Sequence, residues 1–402
     1  MKRISFLLLI LWAGLGFLSA SAQTDKLPIA VLDLDAKGVE PSVAGVITEN
    51  VRYEFGKQKD LFDLVAREKM VQLAKEKAFQ LTGCTDVSCA VQIGKALNVK
   101  KMVIGSVTRI GNKYALFLKT VDVEAERVEC SEKEDAGTDV EQTDKVVSDV
   151  VKHLSGCMIV EGLLDEVPKN LEPRGLGGIP PLGMYLRAQG KVDKVATACL
   201  EATRLNPGYA KGYSLLGLAS FVSIKLVEAK QAYRDAIRLN PDDAESHYML
   251  ALVLRVQELP GQAGEVEKEL REAVRLKPDF AEAYVILGTC LSERADSGAV
   301  KAFEEAVRLK PYLIQAHDNL WDEYQSRQGK TDGVIWRYKY TLQDSKFSSP
   351  QEKSTATFGL ATYYDKTGKK QEARMYWKKV LELPDVPSDV VEAIKERLTR
   401  QD

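Results

Sequence analysis

The 402-residue sequence has little of what most catalytic or nucleic-acid-binding proteins depend on. It contains only three histidines, and none lies in a pattern that would join it to a nucleophile and an acid. Lysines and arginines (56) nearly balance aspartates and glutamates (58), and both signs are mixed along the chain. A nucleic-acid-binding surface normally needs a clustered basic patch. We therefore predict a protein that is not an enzyme and has no cofactor, metal or nucleic-acid partner.

Long apolar segments are also scarce, and only the amino terminus carries one. Two basic residues precede an apolar run from Ile4 to Leu18, and the segment Ala20–Ala22 has the small-x-small pattern that a signal peptidase recognises. The alternative is a membrane anchor, but the run is shorter than the roughly 20 residues of a spanning helix. We predict a signal peptide at 1–22, cleaved near Ala22, and a periplasmic location that leaves outer-membrane association open.

Cysteine is infrequent, with six residues in the whole chain. Cys84 and Cys89 stand at the start of a predicted helix, where they could form a redox pair, half of a metal site or a disulfide. A redox pair usually has C-x-x-C spacing, and zinc needs two further ligands, which are not evident nearby. In an oxidising compartment we favour a structural disulfide. Cys130 and Cys157 could form a second pair.

The first half of the chain alternates between strand and helix patterns from residue 27 to residue 157. "LPIAVLDLDA" has the apolar, β-branched composition of a buried strand, and "PSVAGVITENVRYEFGKQ" places apolar residues at helical spacing. Three later strands are separated by short turns, which predicts a meander. The order β-α-β-α-α-β-β-β-α predicts a mixed sheet with helices packed against it. Asp33 and Asp35 are on one face at the end of the first strand, which we interpret as a solvated strand end rather than a cation site.

This half resembles a family of cell-envelope domains. The stretches "IAVLDL", "LVAREKM" and "GCTDVSCAVQIGKALNVKKMVIGSVTRIGNKYALFLKTVDVEAERV" carry the resemblance. They are similar to the CsgG-like curli-secretion proteins, to the amino-terminal domain of TolB and to outer-membrane activators of penicillin-binding proteins. The resemblance covers about 130 residues and implies a non-enzymatic module that docks on other envelope proteins.

The second half of the chain repeats itself. The motifs "RLNP", "RLNP", "RLKP" and "RLKP" end at Pro207, Pro241, Pro278 and Pro311, at spacings of 34, 37 and 33 residues. This is the period of the tetratricopeptide repeat (TPR), in which each helix pair exposes an apolar side that the next pair buries. We predict a linker at 158–178, an all-α TPR superhelical solenoid of about six repeats at 179–387, and a C-terminal capping helix at 388–402.

TPR solenoids bind partners mainly on the face formed by the first helix of each pair, so this face is the predicted binding groove. Its residues combine aromatic, arginine and apolar types, which dominate binding energy at interfaces. An ordinary solvated helix face is the alternative. His247 and His317 occupy aromatic positions of their repeats and are expected to pack rather than to bind a ligand, and Cys199 and Cys290 are expected to be buried. The predicted groove residues are Met184, Arg187, Lys211, Ser214, Phe221, Tyr248, Arg255, Val285, Thr289, Asp318 and Asp322.

These features predict an exported adaptor that joins other envelope proteins or peptide segments of them. The repeats would bind one partner in the groove, and the first domain would dock on a second. An alternative is an oligomeric accessory or regulator of an outer-membrane secretion or cell-wall synthesis complex, which self-associates through its first domain. A periplasmic enzyme is a third hypothesis, for which the sequence offers no candidate residue.

Overall fold

The computed structural model describes residues 26–77, 84, 86–135, 143–164, 167, 181–257, 261–326, 330–343, 349–384 and 386–400. The predicted signal peptide and most of the predicted linker lie outside these residues. The chain divides into two compact units, and the division falls between Glu228 and Ala229. The first unit contains an α/β domain and the first helices of the repeat region, and the second contains the remaining helices. No helix in the described ranges is long and apolar enough to span a membrane.

The α/β domain is built on one mixed sheet of six strands. Strand β1 pairs in parallel with β3 and β4, and β4, β5 and β6 form the predicted antiparallel meander. A short strand that the sequence did not reveal, β2, also pairs in parallel with β4. The strands are β1 (Leu27–Val31), β2 (Asp35–Lys37), β3 (Phe62–Leu64), β4 (Lys101–Ile110), β5 (Lys113–Asp122) and β6 (Arg127–Asp135).

Helices cover both faces of the sheet, because successive side chains of a strand point to opposite faces. Ile29 and Val31 of β1 lie in the core beneath helices α1 and α4, whereas Ala30 lies in the core beneath α2 and α3. Asp86 caps α3 by accepting a hydrogen bond from the backbone N–H of Cys89 at 2.8 Å. The helices are α1 (Pro41–Lys57), α2 (Arg67–Lys77), α3 (Val87–Leu97) and α4 (Thr143–Leu164).

Both cysteine pairs that the sequence suggested are at bonding distance. Cys89, in the first turn of α3, pairs with Cys84, three residues before the helix, and their Cα atoms are 5.8 Å apart. Cys130 of β6 and Cys157 of α4 have Cα atoms 6.2 Å apart, so this pair ties α4 to the sheet. The geometry agrees with the structural interpretation of these cysteines.

Helix α4 packs against the sheet and also against helices of the repeat region. Val147, Val151 and Leu154 pack against the sheet, and the helix continues to Leu164, past the predicted domain end at 157. The predicted linker therefore starts too early, since 158–164 are helical and include the buried Val160. Beyond the sheet, α4 packs against the first helices of the repeat region. The first helices of that region are α5 (Pro181–Ala188), α6 (Val192–Leu205) and α7 (Ala210–Val222), and α4 contacts α6 and α7.

The second unit consists of helix pairs at the predicted repeat period, which confirms the predicted fold class. Within a pair the two helices approach closely at the small motif position, because a Cβ on Gly288 would lie 2.6 Å from the ring of Phe303. The division between the units falls in the first turn of α8. The helices are α8 (Leu226–Leu239), α9 (Ala244–Gln257), α10 (Ala263–Leu276), α11 (Ala281–Glu293), α12 (Gly298–Leu309), α13 (Ile314–Ser326), α14 (Lys330–Gln343), α15 (Pro350–Lys366), α16 (Lys370–Leu381) and α17 (Ser388–Arg400).

The pair α13 and α14 is irregular, and Trp321 explains why. This fully buried indole stands at the position where other repeats have a small residue. Its Nε1–H donates to the backbone oxygen of Gly359 at 3.1 Å and to Thr362 at 3.2 Å, both on α15. The indole therefore fills the space in which α14 would approach α13, and α14 packs mainly on α15.

Candidate functional site

The predicted groove residues of the first unit lie on α5 and α7. Met184 and Arg187 are half-buried on α5, and Ser214 and Phe221 are half-buried on α7. Lys211 is exposed at the start of α7 and forms an ion pair with a residue of α4.

The partner of Lys211 is Glu161, whose side chain is largely buried. Glu161 also accepts a hydrogen bond from the hydroxyl of Tyr209 at 3.1 Å. Burial, followed by the charge of Glu161, raises the pKa of Tyr209, so the phenol stays protonated as a donor. This end of the predicted groove is thus held to the α/β domain by two polar contacts.

In the second unit, two of the predicted groove residues are buried and offer no open surface. Tyr248 is 4% exposed because its ring packs against Phe280, with centroids 4.7 Å apart. Val285 is 3% exposed on α11. Tyr248 and Val285 occupy the same position of their repeats, and side chains at this position pack against neighbouring residues rather than face solvent. The prediction that they line an open groove is therefore wrong.

The other predicted residues belong to a polar surface along the first helices of successive pairs, α9, α11, α13 and α15. We call it the A-helix face. It begins at Arg255 of α9, whose guanidinium donates to Cys290 Sγ and to Glu293, both at 3.1 Å. Next, Asn319 of α13 donates to Thr289 of α11 at 3.4 Å. The residues of the A-helix face are Arg255, Thr289, Cys290, Ser292, Glu293, Asp318, Asn319, Asp322, Glu323, Asp365 and Lys366.

The A-helix face continues toward the C terminus with contacts of the same kind. Ser292 donates to Glu323, which joins α11 to α13 a second time. Lys366 of α15 forms an ion pair with Asp322 at 2.9 Å and donates to the backbone oxygen of Asp318 at 3.1 Å. Arg397 of α17 then forms an ion pair with Asp365 of α15 at 2.9 Å.

Charge on the A-helix face is shaped by partial burial. Burial raises the pKa of Asp318, and the nearby Lys366 and Arg397 act in the opposite direction. Burial disfavours the charged form of Arg255, but Cys290 and Glu293 outweigh it and raise the pKa of its guanidinium. Burial also raises the pKa of the Cys290 thiol, which is therefore protonated at neutral pH. The surface presents fixed charges of both signs rather than a reactive group.

The residues considered for metal or catalytic chemistry are buried or paired with other side chains. Asp33 forms an ion pair with Arg52 at 2.6 Å, so it is not the solvated strand end that the sequence suggested. His247 and His317 are buried, as expected for packing residues, and Cys199 is a buried free thiol. Across the described ranges, no cluster of three or more His, Cys, Asp or Glu side chains could hold a metal ion.

The A-helix face contains several residues that sequence reasoning missed. Ser292, Glu323 and Lys366 take part in its contacts, and Arg397 comes from the predicted capping helix. The repeat period could have revealed Ser292 and Glu323, because Ser292 lies at the end of α11 and Glu323 lies about one repeat later in the sequence. Arg397 could not, since no period relates it to Asp365.

Comparisons with known proteins agree with the helix pairs. Residues 225–270 match the family model described as tetratricopeptide repeat. No curated protein sequence matches the chain significantly. The match covers 46 of the 402 residues and supports the interpretation of the helix pairs as tetratricopeptide repeats.

Solved structures similar to parts of the chain include MamA, at 18% identity over 46% of this chain and 97% of that one, with a TM-score of 0.35. YrrB, described as a TPR protein with an unusual peptide-binding site, has 19% identity over 55% of this chain and 97% of its own, with a TM-score of 0.34. The C-terminal domain of LpoB from Salmonella enterica has 16% identity over 29% of this chain and 87% of its own, with a TM-score of 0.25.

Proposed function

We propose that this protein is an exported, non-enzymatic adaptor of the cell envelope that binds segments of partner proteins on its A-helix face. The observation that carries the proposal is the series of hydrogen bonds and ion pairs that crosses from each first helix to the next. These contacts hold half-exposed polar side chains in place before a partner arrives, and such preorganisation lowers the entropy that binding must overcome.

The chemistry of the A-helix face fits a peptide segment better than a small molecule. Thr289 and Asp318 are half-buried between charged residues of both signs. A peptide has donors and acceptors along its whole backbone, so it can pair with a row of polar groups on successive helices. The α/β domain, with its resemblance to envelope docking modules, would bind a second partner in this proposal.

Site-specific photo-crosslinking in cells tests the proposal. A photoreactive residue at Thr289, on the A-helix face, is compared with one at Arg271, an exposed residue of the second helix α10. We expect Thr289 to capture one or two defined envelope proteins, identified by mass spectrometry, and Arg271 to capture none of them. Asp322→Lys should reduce the capture about tenfold, since it reverses a charge of the face.

Equal capture from the two positions would refute binding on the A-helix face. Capture of only a second copy of this chain, together with sedimentation as an oligomer, would instead favour the accessory or regulator of a secretion or cell-wall complex. Capture of cytoplasmic proteins alone would refute export.

A further inference from the structure

His247 has a hydrogen-bond acceptor at each of its two ring nitrogens. Nδ1 lies 2.6 Å from a carboxylate oxygen of Glu269, and Nε2 lies 3.0 Å from the backbone oxygen of Pro241. A carbonyl oxygen can only accept, and a neutral imidazole has a single N–H. Both contacts are satisfied only if the pair carries one proton more than a neutral imidazole beside a carboxylate. That proton belongs to the pair, whichever of the two side chains carries it.

His317 provides an internal comparison because it occupies the same position of a later repeat. Each histidine lies six residues after its repeat proline, and each Nε2 contacts the oxygen of that proline, at 2.9 Å for His317. The Nδ1 of His317 has no hydrogen-bond partner among the described residues. One N–H therefore suffices for His317, and burial lowers its pKa to about 4.

The neighbouring repeats show that the pair in α9 and α10 is a joint departure from the repeat pattern. Nine residues before the closing proline, the repeats on either side have Ala232 and Ala302, where this one has Glu269. Their residues six after the preceding proline are Tyr213 and Tyr284, where this one has His247. A carboxylate at a buried alanine position is costly unless it is paired. Both side chains of the pair are 9% exposed, so each provides the hydrogen-bonding partner that the other needs when it is buried.

Other charged groups face the pair from each element packed around it. Lys268 of α10 lies 3.8 Å from the second oxygen of Glu269, but its side chain is 80% exposed and is screened by solvent. An open cavity of about 460 Å³ beside the ring is also lined by Arg234 of α8 and by acidic residues of α10. Arg234 is already paired with one of these at 2.6 Å. The acidic groups beside the pair are Glu265 and Glu272, which line the same cavity.

We propose that His247 and Glu269 form a proton-binding site that holds helix α9 against helix α10, and we call this pair the latch. The proton completes the contact between the two helices of one repeat, and its loss leaves two acceptors facing each other. Since α9 also carries Arg255, the latch controls how firmly the A-helix face is held at that repeat. This inference does not depend on the identity of a partner or on export.

The direction of the pH dependence follows from linkage. Burial lowers the pKa of His247, but the hydrogen bonds to Glu269 and Pro241 outweigh it, so the pKa is raised above its ordinary 6.5. A histidine with a raised folded pKa contributes stability that is complete below pH 6.5 and is lost as the pH rises through the folded value. His317, with its lowered pKa, contributes stability above pH 6.5 that is lost as the pH falls toward 4.

Proton NMR titration of the full chain tests the proposal, because the protein has only three histidines to resolve. We expect one resonance, assigned to His247 by its loss in His247→Gln, to titrate above pH 6.5. In Glu269→Gln the amide can donate to Nδ1, so a neutral imidazole satisfies both contacts. The pH midpoint of the His247 titration should then fall by about one pH unit or more, because the negative charge of the Glu269 carboxylate is gone. His317 should not move.

A titration of His247 at or below pH 6.5 in the wild type would overturn the proposal, as would an unchanged titration in Glu269→Gln. Thermal unfolding followed by tryptophan fluorescence is a second measurement that does not need the assignment. Between pH 6.5 and 9, the melting temperature of the wild type should fall more than that of Glu269→Gln. Parallel curves of melting temperature against pH for the two proteins would also refute the proposal.

Discussion

Helix α4 approaches helix α6 closely at Gly156, and replacement of this glycine by alanine tests whether the α/β domain and the first repeat helices form one packed unit. A Cβ at this position would lie 2.7 Å from the backbone oxygen of Ala202 and 3.3 Å from its Cα. The obstacle is backbone rather than the end of a flexible side chain, so α4 and α6 would have to move apart. Gly156→Ala should therefore destabilise the first unit.

Two effects of opposite sign set the magnitude. Alanine stabilises a helix interior by about 0.5–1 kcal/mol relative to glycine. Overpacking a close contact costs about 1–3 kcal/mol. Because the contact at Gly156 is shorter than ordinary Cβ contacts and has no flexible atom to relieve it, we expect the second effect to exceed the first. The expected loss in free energy of unfolding is about 1–2 kcal/mol.

Two spectroscopic probes can separate the units. Trp321, Trp336 and Trp377 lie in the second unit, and Trp12, the one other tryptophan of the chain, falls in the predicted signal peptide. Tryptophan fluorescence of the mature protein therefore follows the second unit, whereas far-UV circular dichroism follows both. Gly156→Ala should lower the denaturant midpoint seen by circular dichroism and change the fluorescence midpoint less.

Gly162 provides the matched control on the same helix. A Cβ there meets no atom within 4 Å, so Gly162→Ala should leave stability unchanged or raise it by a few tenths of a kcal/mol, about what helix propensity allows near a helix end. If Gly156→Ala is as harmless as Gly162→Ala, α4 does not pack closely on α6, and the account of a shared helix is wrong.

Two further predictions concern strain and cross-linking in the first unit. Ile224 follows Ser223, the C-cap of α7, and has a φ of +63°, a conformation that costs an L-residue about 1–2 kcal/mol, whereas Gly190 and Gly368 have similar φ angles. Ile224→Gly should raise the melting temperature of the first unit, by about 2–4 °C per kcal/mol, and a lower melting temperature would contradict the strain. Cys130 and Cys157 are separated by 27 residues, so replacing both with alanine should cost about 3.5 kcal/mol in the loop-entropy model. Denaturant unfolding of the oxidised proteins measures this loss, and an unchanged midpoint would mean that the pair is not bonded.

The elements that the sequence predicted correctly are those with a short-range signal. The repeat prolines, such as Pro241 and Pro278, fix where each helix pair ends, and the short turns between β4, β5 and β6 fix the meander. Strand β2 was missed because three residues carry no period. Its pairing depends on β4, which lies far along the chain.

The residues that were predicted less well owe their environment to distant contacts. Tyr248 is of a residue type that is common at binding surfaces, but the ring of Phe280, directly before α11, covers it. Lys211 was assigned to the groove, and its pairing with Glu161 depends on a helix of the other domain. The C-terminal turns of α4 have apolar residues beside prolines and glycines, which a single sequence cannot distinguish from a linker. Long-range packing decided each of these cases.

The internal repeats offer a reference that a single non-repeating sequence lacks. Where one repeat departs from its neighbours at a buried position, a compensating change must be present nearby, because the surrounding backbone is the same. Trp321 at a small position is compensated by the displacement of α14, and Glu269 at an alanine position is compensated by His247. The first departure changes packing alone, whereas the second introduces a titratable group. Departures of the second kind are where a repeat can acquire a property, such as sensitivity to pH, that the repeat pattern itself does not carry.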